Sequence, residues 1–179
     1  MFDKLRLLSS GYFDIPLTTG VNLSNDEAKK AATEALNFLS DNGIFLTNLE
    51  QPEFELETFL AFSNDGSGTS ILLWRCTIIQ EFGNRSFLLL DDESGKMVSF
   101  YLSQKYADYV NPKITTDYIH QIANTLASYY DFELDDIWLQ SSDFGISYYM
   151  AIYTDKITGE SVILNTPIRI APDIIIFNN

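Results

Sequence analysis

The chain has 179 residues, of which 46% are apolar and 14% aromatic: ample material for a core and too hydrophobic for a disordered segment. Asp and Glu outnumber Lys and Arg by 25 to 11, so a formal charge of −14 sets the surface against phosphate backbones and anionic headgroups, and no nucleic-acid partner is expected. Cys76 and His120 are the single cysteine and histidine, which removes internal disulfides, two-thiolate metal sites and histidine-pair zinc or iron centres built within one chain.

No apolar run approaches the length that spans a bilayer, and Met1-Phe2-Asp3-Lys4-Leu5-Arg6-Leu7-Leu8 is too short and too charged for a signal peptide. No membrane span is therefore expected in this chain, while an anchor upstream of it stays open. Residues 1–23 form an N-terminal segment with no assigned element. Ser24-Asn25-Asp26-Glu27 then offers a capping box, and Ala28, Ala31, Ala32, Ala35, Leu36 and Leu39 follow at helical spacing, so a helix is expected over about Asn25 to Asp41. From Phe54 the pattern turns to strand: Phe54 to Phe62, Thr69 to Phe82, Arg85 to Leu90 and Lys96 to Leu102, separated by Gly- and Asn-bearing turns. Trp74, Cys76 and Ile78 share one apolar face of the longest run, which the helix is expected to cover.

Pro112 interrupts the chain, and Thr115 or Thr116 can cap a second helix striped by Ile119, Ile122, Ala123, Leu126, Ala127 and Tyr130, with Asp131-Phe132-Glu133 as its end. Further strands are expected over Ile146 to Thr154, Ser161 to Asn165 and Ile168 to Phe177, with Pro167 and Pro172 favouring edges or bulges. The order predicts an α+β fold of two helix-then-antiparallel-sheet units, residues 24–103 and 114–179, joined by a linker at 104–113, with helices packed on one face of the sheets. Because the linker is short, the units are expected to pack together or share one sheet.

Each unit breaks at a turn of one design. Asp91, Ser94, Gly95 and Val98 of the first align with Asp155, Thr158, Gly159 and Val162 of the second, and in each the glycine supplies the positive φ that closes a hairpin. The Ala-rich helix, the strand bearing Trp74 and the run Leu88-Leu89-Leu90-Asp91-Asp92-Glu93-Ser94-Gly95-Lys96-Met97-Val98 together resemble PepSY domains. The second unit is similar through Asp155, Thr158, Gly159 and Glu160, with Ser147-Tyr148-Tyr149 where the first has Trp74. The resemblance implies two tandem noncatalytic modules, extracytoplasmic or membrane-tethered, that bind proteins or peptides, inhibit peptidases or modulate signalling proteins. It transfers no catalytic residue.

The chemistry-bearing residues agree with a protein that is not an enzyme. His120 lies at the polar border of its helix without a nucleophile motif beside it, and Cys76 lies on an apolar strand face where a thiol behaves as a small hydrophobe. Asp91-Asp92-Glu93 and Asn64-Asp65-Gly66 are oxygen-rich, but neither alternates its ligands as a calcium loop does, so no metal and no cofactor are expected. Trp138, Tyr148, Tyr149 and Tyr153 exceed what one core needs and are candidates for a protein or peptide interaction surface. An α+β small-molecule binder with an aromatic pocket is the alternative, and a hydrolase using paired carboxylates is a third reading.

Overall fold

The computed structural model describes residues 1–44, 52–64, 68–79, 86–103, 115–143, 146–171 and 174–177. Its elements run α1 (Phe2–Ser9), β1 (Tyr12–Leu17), α2 (Asn25–Asp41), β2 (Phe54–Ser63), β3 (Ser70–Ile78), β4 (Ser86–Asp91), β5 (Met97–Ser103), α3 (Thr116–Tyr130), β6 (Phe132–Asp143), β7 (Ile146–Asp155), β8 (Ser161–Ala171) and β9 (Ile174–Phe177). Asp65-Gly66, the 104–113 linker with Pro112, and Pro172 lie outside the described residues.

Helix α2 starts where its chemistry dictates. The Ser24 hydroxyl accepts from the Glu27 amide, and the Glu27 carboxylate accepts from the Ser24 amide at 2.9 Å, a complete capping box. Its small residues Ala28, Ala32 and Ala35, with Leu36 and Leu39, are buried, and the helix contacts β3, β4 and β5. Thr115 caps α3 through the Tyr118 amide, and Asp131 ends it in the left-handed region at φ 62°. The two helices meet where Phe38 packs on Tyr129, ring centroids 4.9 Å apart, and where the Gln121 amide donates to the Asn42 carbonyl at 2.7 Å.

The nine strands among the described residues form one antiparallel sheet in the order β1-β2-β3-β4-β5-β9-β8-β7-β6. This overturns the fold expected from the sequence, two helix-then-sheet units with helices packed on their sheets. The strands of both halves make a single sheet, because β5 pairs with β9 through Phe100 and Phe177, Tyr101 and Ile176, and Leu102 and Ile175. Both strands are too apolar to remain as free edges, so each buries the other's outer side. Three elements also lie where the sequence reading placed none. Helix α1 contacts β2, β5 and β8, and β1 adds an edge to β2. Strand β6, twelve residues long, escapes the period-two test because register shifts between Leu134 and Asp136 and between Leu139 and Ser141 break its alternation.

Candidate interaction surface

The two aligned turns share a hydrogen-bond pattern. In the first, Asp91 N donates to Lys96 O at 2.9 Å and Gly95 N to Asp91 O at 2.8 Å; in the second, Asp155 N donates to Glu160 O and Gly159 N to Asp155 O at the same two distances. The aspartate carboxylates accept from the Ser94 and Thr158 amides, and Gly95 and Gly159 hold φ of 68° and 72°. Burial separates them. The Asp91 carboxylate is buried and takes both an ion pair from Lys4 of α1, at 2.8 Å, and the Ser94 hydroxyl, whereas Asp155 is half-buried with its own turn amides as partners.

Asp92, beside the first turn, does a job the sequence did not advertise. Its carboxylate accepts from the Trp74 indole at 2.7 Å, from the Asn22 amide at 2.8 Å and side chain at 2.9 Å, and from the Val21 and Leu23 amides at 3.2 Å. One anion thus fastens the segment leading into α2 to the middle of the sheet. Burial pushes its pKa up, but the Asn22, Trp74 and Leu23 donors outweigh burial and hold it below the ordinary carboxylate value. A Cβ on Gly20 would come within 2.5 Å of both Asp92 Oδ1 and the Trp74 ring, so only glycine lets the backbone cross there.

Asp91, Asp92 and Glu93 line a cleft of about 250 Å³ with Lys4 and Asn22. The first two carboxylates are already occupied by protein donors, and the third pairs with Lys4 at 2.7 Å. A general acid needs a raised pKa, and Asp92 is shifted the other way. Elsewhere, His120 is exposed on α3, and burial raises the Cys76 thiol to about 12, far from a reactive thiolate. Among the described residues no group of three His, Cys, Asp or Glu side chains is placed to hold a metal ion.

The four aromatics singled out in the second half do not form one surface. Tyr153 is buried, its ring against Phe132, and burial raises its pKa. Trp138 is exposed on the edge strand β6, while the neighbours Tyr148 and Tyr149 point to opposite sides of β7. Tyr148 instead belongs to a row that crosses the sheet in register: Thr77, Phe87, Tyr101, Ile176, Arg169 and Tyr148, each the direct partner of the next and each half-buried. Phe87 and Tyr101 stack at 5.7 Å, Arg169 lies over Tyr148 at 5.7 Å, and Arg75 lies between Phe59 and Phe87 at 5.1 and 5.7 Å. The guanidinium groups are thereby held over aromatic rings of the sheet.

The two edges of the sheet are unlike. β6 carries exposed Glu133, Asp135, Asp136 and Asp143 along with its two register shifts, the devices that keep an edge from pairing. β1 has fewer such devices. Its outer side pairs with no strand among the described residues, and Phe13, Ile15 and Leu17 share one face at 70%, 53% and 40% exposure. The opposite face carries Asp14, and beyond it Glu57 and Glu55 of β2, all exposed. Because β1 stops opposite Thr58, β2 from Phe54 to Glu57 has no strand on that side among the described residues. A notch of about 370 Å³ opens there, lined by Asp14, Leu17, Leu56, Glu57, Trp74 and Arg75 among others. Compared with protein-family models, curated proteins and solved structures, the chain matches none of them.

Proposed function

We propose that this chain is a noncatalytic protein- or peptide-binding module that acts by adding an extended segment of its partner to the β1 edge of its sheet. One observation carries the reading: the strand ending the sheet exposes Phe13, Ile15 and Leu17 on one face beside a backbone that no strand pairs among the described residues. Such an edge gives affinity through main-chain hydrogen bonds and selectivity through alternate side chains. An exposed apolar edge is otherwise an aggregation liability, and β6 of this same protein is guarded against it. The likeness of the Trp74 strand and the Asp91 turn to PepSY domains supports a binding role over turnover, and an extracytoplasmic setting belongs to the same proposal.

The test is selection of strand-forming peptides from a random displayed library, run in parallel on the wild-type chain and on Phe13→Asp/Ile15→Asp. Both positions are solvent-exposed, so the variant should keep its urea midpoint. Enrichment on the wild type that vanishes on the variant is expected; equal enrichment on both overturns the proposal.

A further inference from the structure

Resting on the reading of β1 as a docking edge, we infer that the segment it takes is an extended one in which apolar and basic side chains alternate. The argument is one of faces. A strand added beside β1 continues both faces of the sheet, so its successive side chains fall alternately beside the two sets of β1 residues. On one face they meet Phe13, Ile15 and Leu17, three apolar groups in line. On the other they meet Asp14 and then, past the end of β1, Glu57 and Glu55.

Register places the acidic residues on one face, spaced along it. Asp14 is opposite Ala61 and Pro16 opposite Phe59, so Asp14 and Pro16 share a face with Ala61, Phe59, Glu57 and Glu55. Tyr12 stacking on Phe59 at 6.3 Å agrees with that assignment. Among the described residues the cation there is Arg75, occupied by Glu57 at 3.4 Å and by two aromatic rings, which leaves Asp14 and Glu55 as the acidic contacts for an incoming strand.

Charge chooses among occupants. A second copy of this chain would bring another −14 to the edge, and its β6 edge would set Glu133, Asp135 and Asp136 beside Asp14 and Glu55. An acidic partner meets the same repulsion. A basic one is steered to the site by the field of the whole molecule and is fixed in register by the alternation.

The experiment uses the full chain and three short capped fluorescent peptides read by anisotropy: alternating Val and Lys, alternating Val and Glu, and a block arrangement with the Val/Lys composition. The alternating Val/Lys peptide is expected to bind at least ~10-fold tighter than either of the others, more weakly as salt rises, and not at all to Ile15→Asp. The preference for the Val/Lys over the Val/Glu alternating peptide should narrow several-fold on Asp14→Lys/Glu55→Lys, and an unchanged preference would overturn the role of these acids in choosing the partner. If both alternating peptides bind wild type equally, yet both are lost on Ile15→Asp, the basic class is overturned while edge docking stands. If the block peptide binds as well as the alternating one, the strand-like mode is overturned too. A dimer in sedimentation that Ile15→Asp dissolves would make a second copy the occupant and overturn the inference.

Discussion

A single carboxylate organises the first half of this protein. Asp92 is buried with its oxygens taken by the Trp74 indole and the segment before α2, so Asp92→Ala leaves the buried indole N–H without its acceptor and frees the more exposed amides of that segment, and should cost about 2 kcal/mol, read from urea unfolding. Its lowered pKa means that the stabilisation is complete above the ordinary carboxylate value of about 3.9 and is lost as pH falls through the lower folded value. Asp92→Asn should therefore be less stable at neutral pH and lose less stability on acidification than wild type, which a series of unfolding midpoints from about pH 2 to 7 will show. Two buried tyrosines separate what the fold needs from what it tolerates. Tyr130 donates to the Met97 carbonyl at 2.6 Å, whereas the Tyr153 hydroxyl is buried without a hydrogen-bond partner among the described residues. Tyr130→Phe should lose about 1 kcal/mol, while Tyr153→Phe should be neutral or gain about 1 kcal/mol, measured in the same unfolding assay. None of this was legible beforehand: Asp92 reads as one more acidic turn residue, and Tyr153 as one more surface aromatic, until burial distinguishes them.

At the scale of elements, local chemistry was readable and long-range pairing was not. The capping box at Ser24, the Thr115 cap and the glycine-closed turns are written in neighbouring residues, and the structure places the corresponding hydrogen bonds there. Ser24→Ala should cost about 1 kcal/mol. Gly95→Ala and Gly159→Ala should each cost about 1 kcal/mol through backbone strain alone, since an added Cβ meets nothing closer than Ala31 Cβ at 3.7 Å in the first turn and nothing within 4 Å in the second. Matching losses in thermal unfolding check that the turns are conformationally equivalent; unequal losses would locate a tertiary contribution in one of them. The turn repeats without repeating a site: Asp91 is tied to Lys4 across the chain, whereas the carboxylate partners of Asp155 among the described residues lie in its own turn. Strand β6 was missed because its register shifts erase the alternation that identifies a strand, and β1 because its six residues carry a proline and precede no hairpin of their own.

For the whole molecule, the union of the two halves through β5 and β9 has a thermodynamic consequence. A sheet continuous from β1 to β6 should unfold as one unit, because melting either half strips the apolar side of β5 or β9. Chance provides the probe. Of the two tryptophans, Trp74 is buried in the first half and Trp138 is exposed in the second, so Trp138→Phe leaves fluorescence that reports the first half alone. Its urea midpoint should coincide with that of far-UV circular dichroism; separated midpoints would show that the halves unfold independently. The amino-acid sequence by itself determined the charge, helices α2 and α3 with their caps and the pair of matched turns, because each depends on composition or on residues a few positions apart. Only the tertiary structure decided that there is one sheet instead of two, that Asp92 is an anchor, and that β1 is an apolar edge with an acidic reverse face, because each depends on residues far apart in the chain, whose pairing local pattern does not encode.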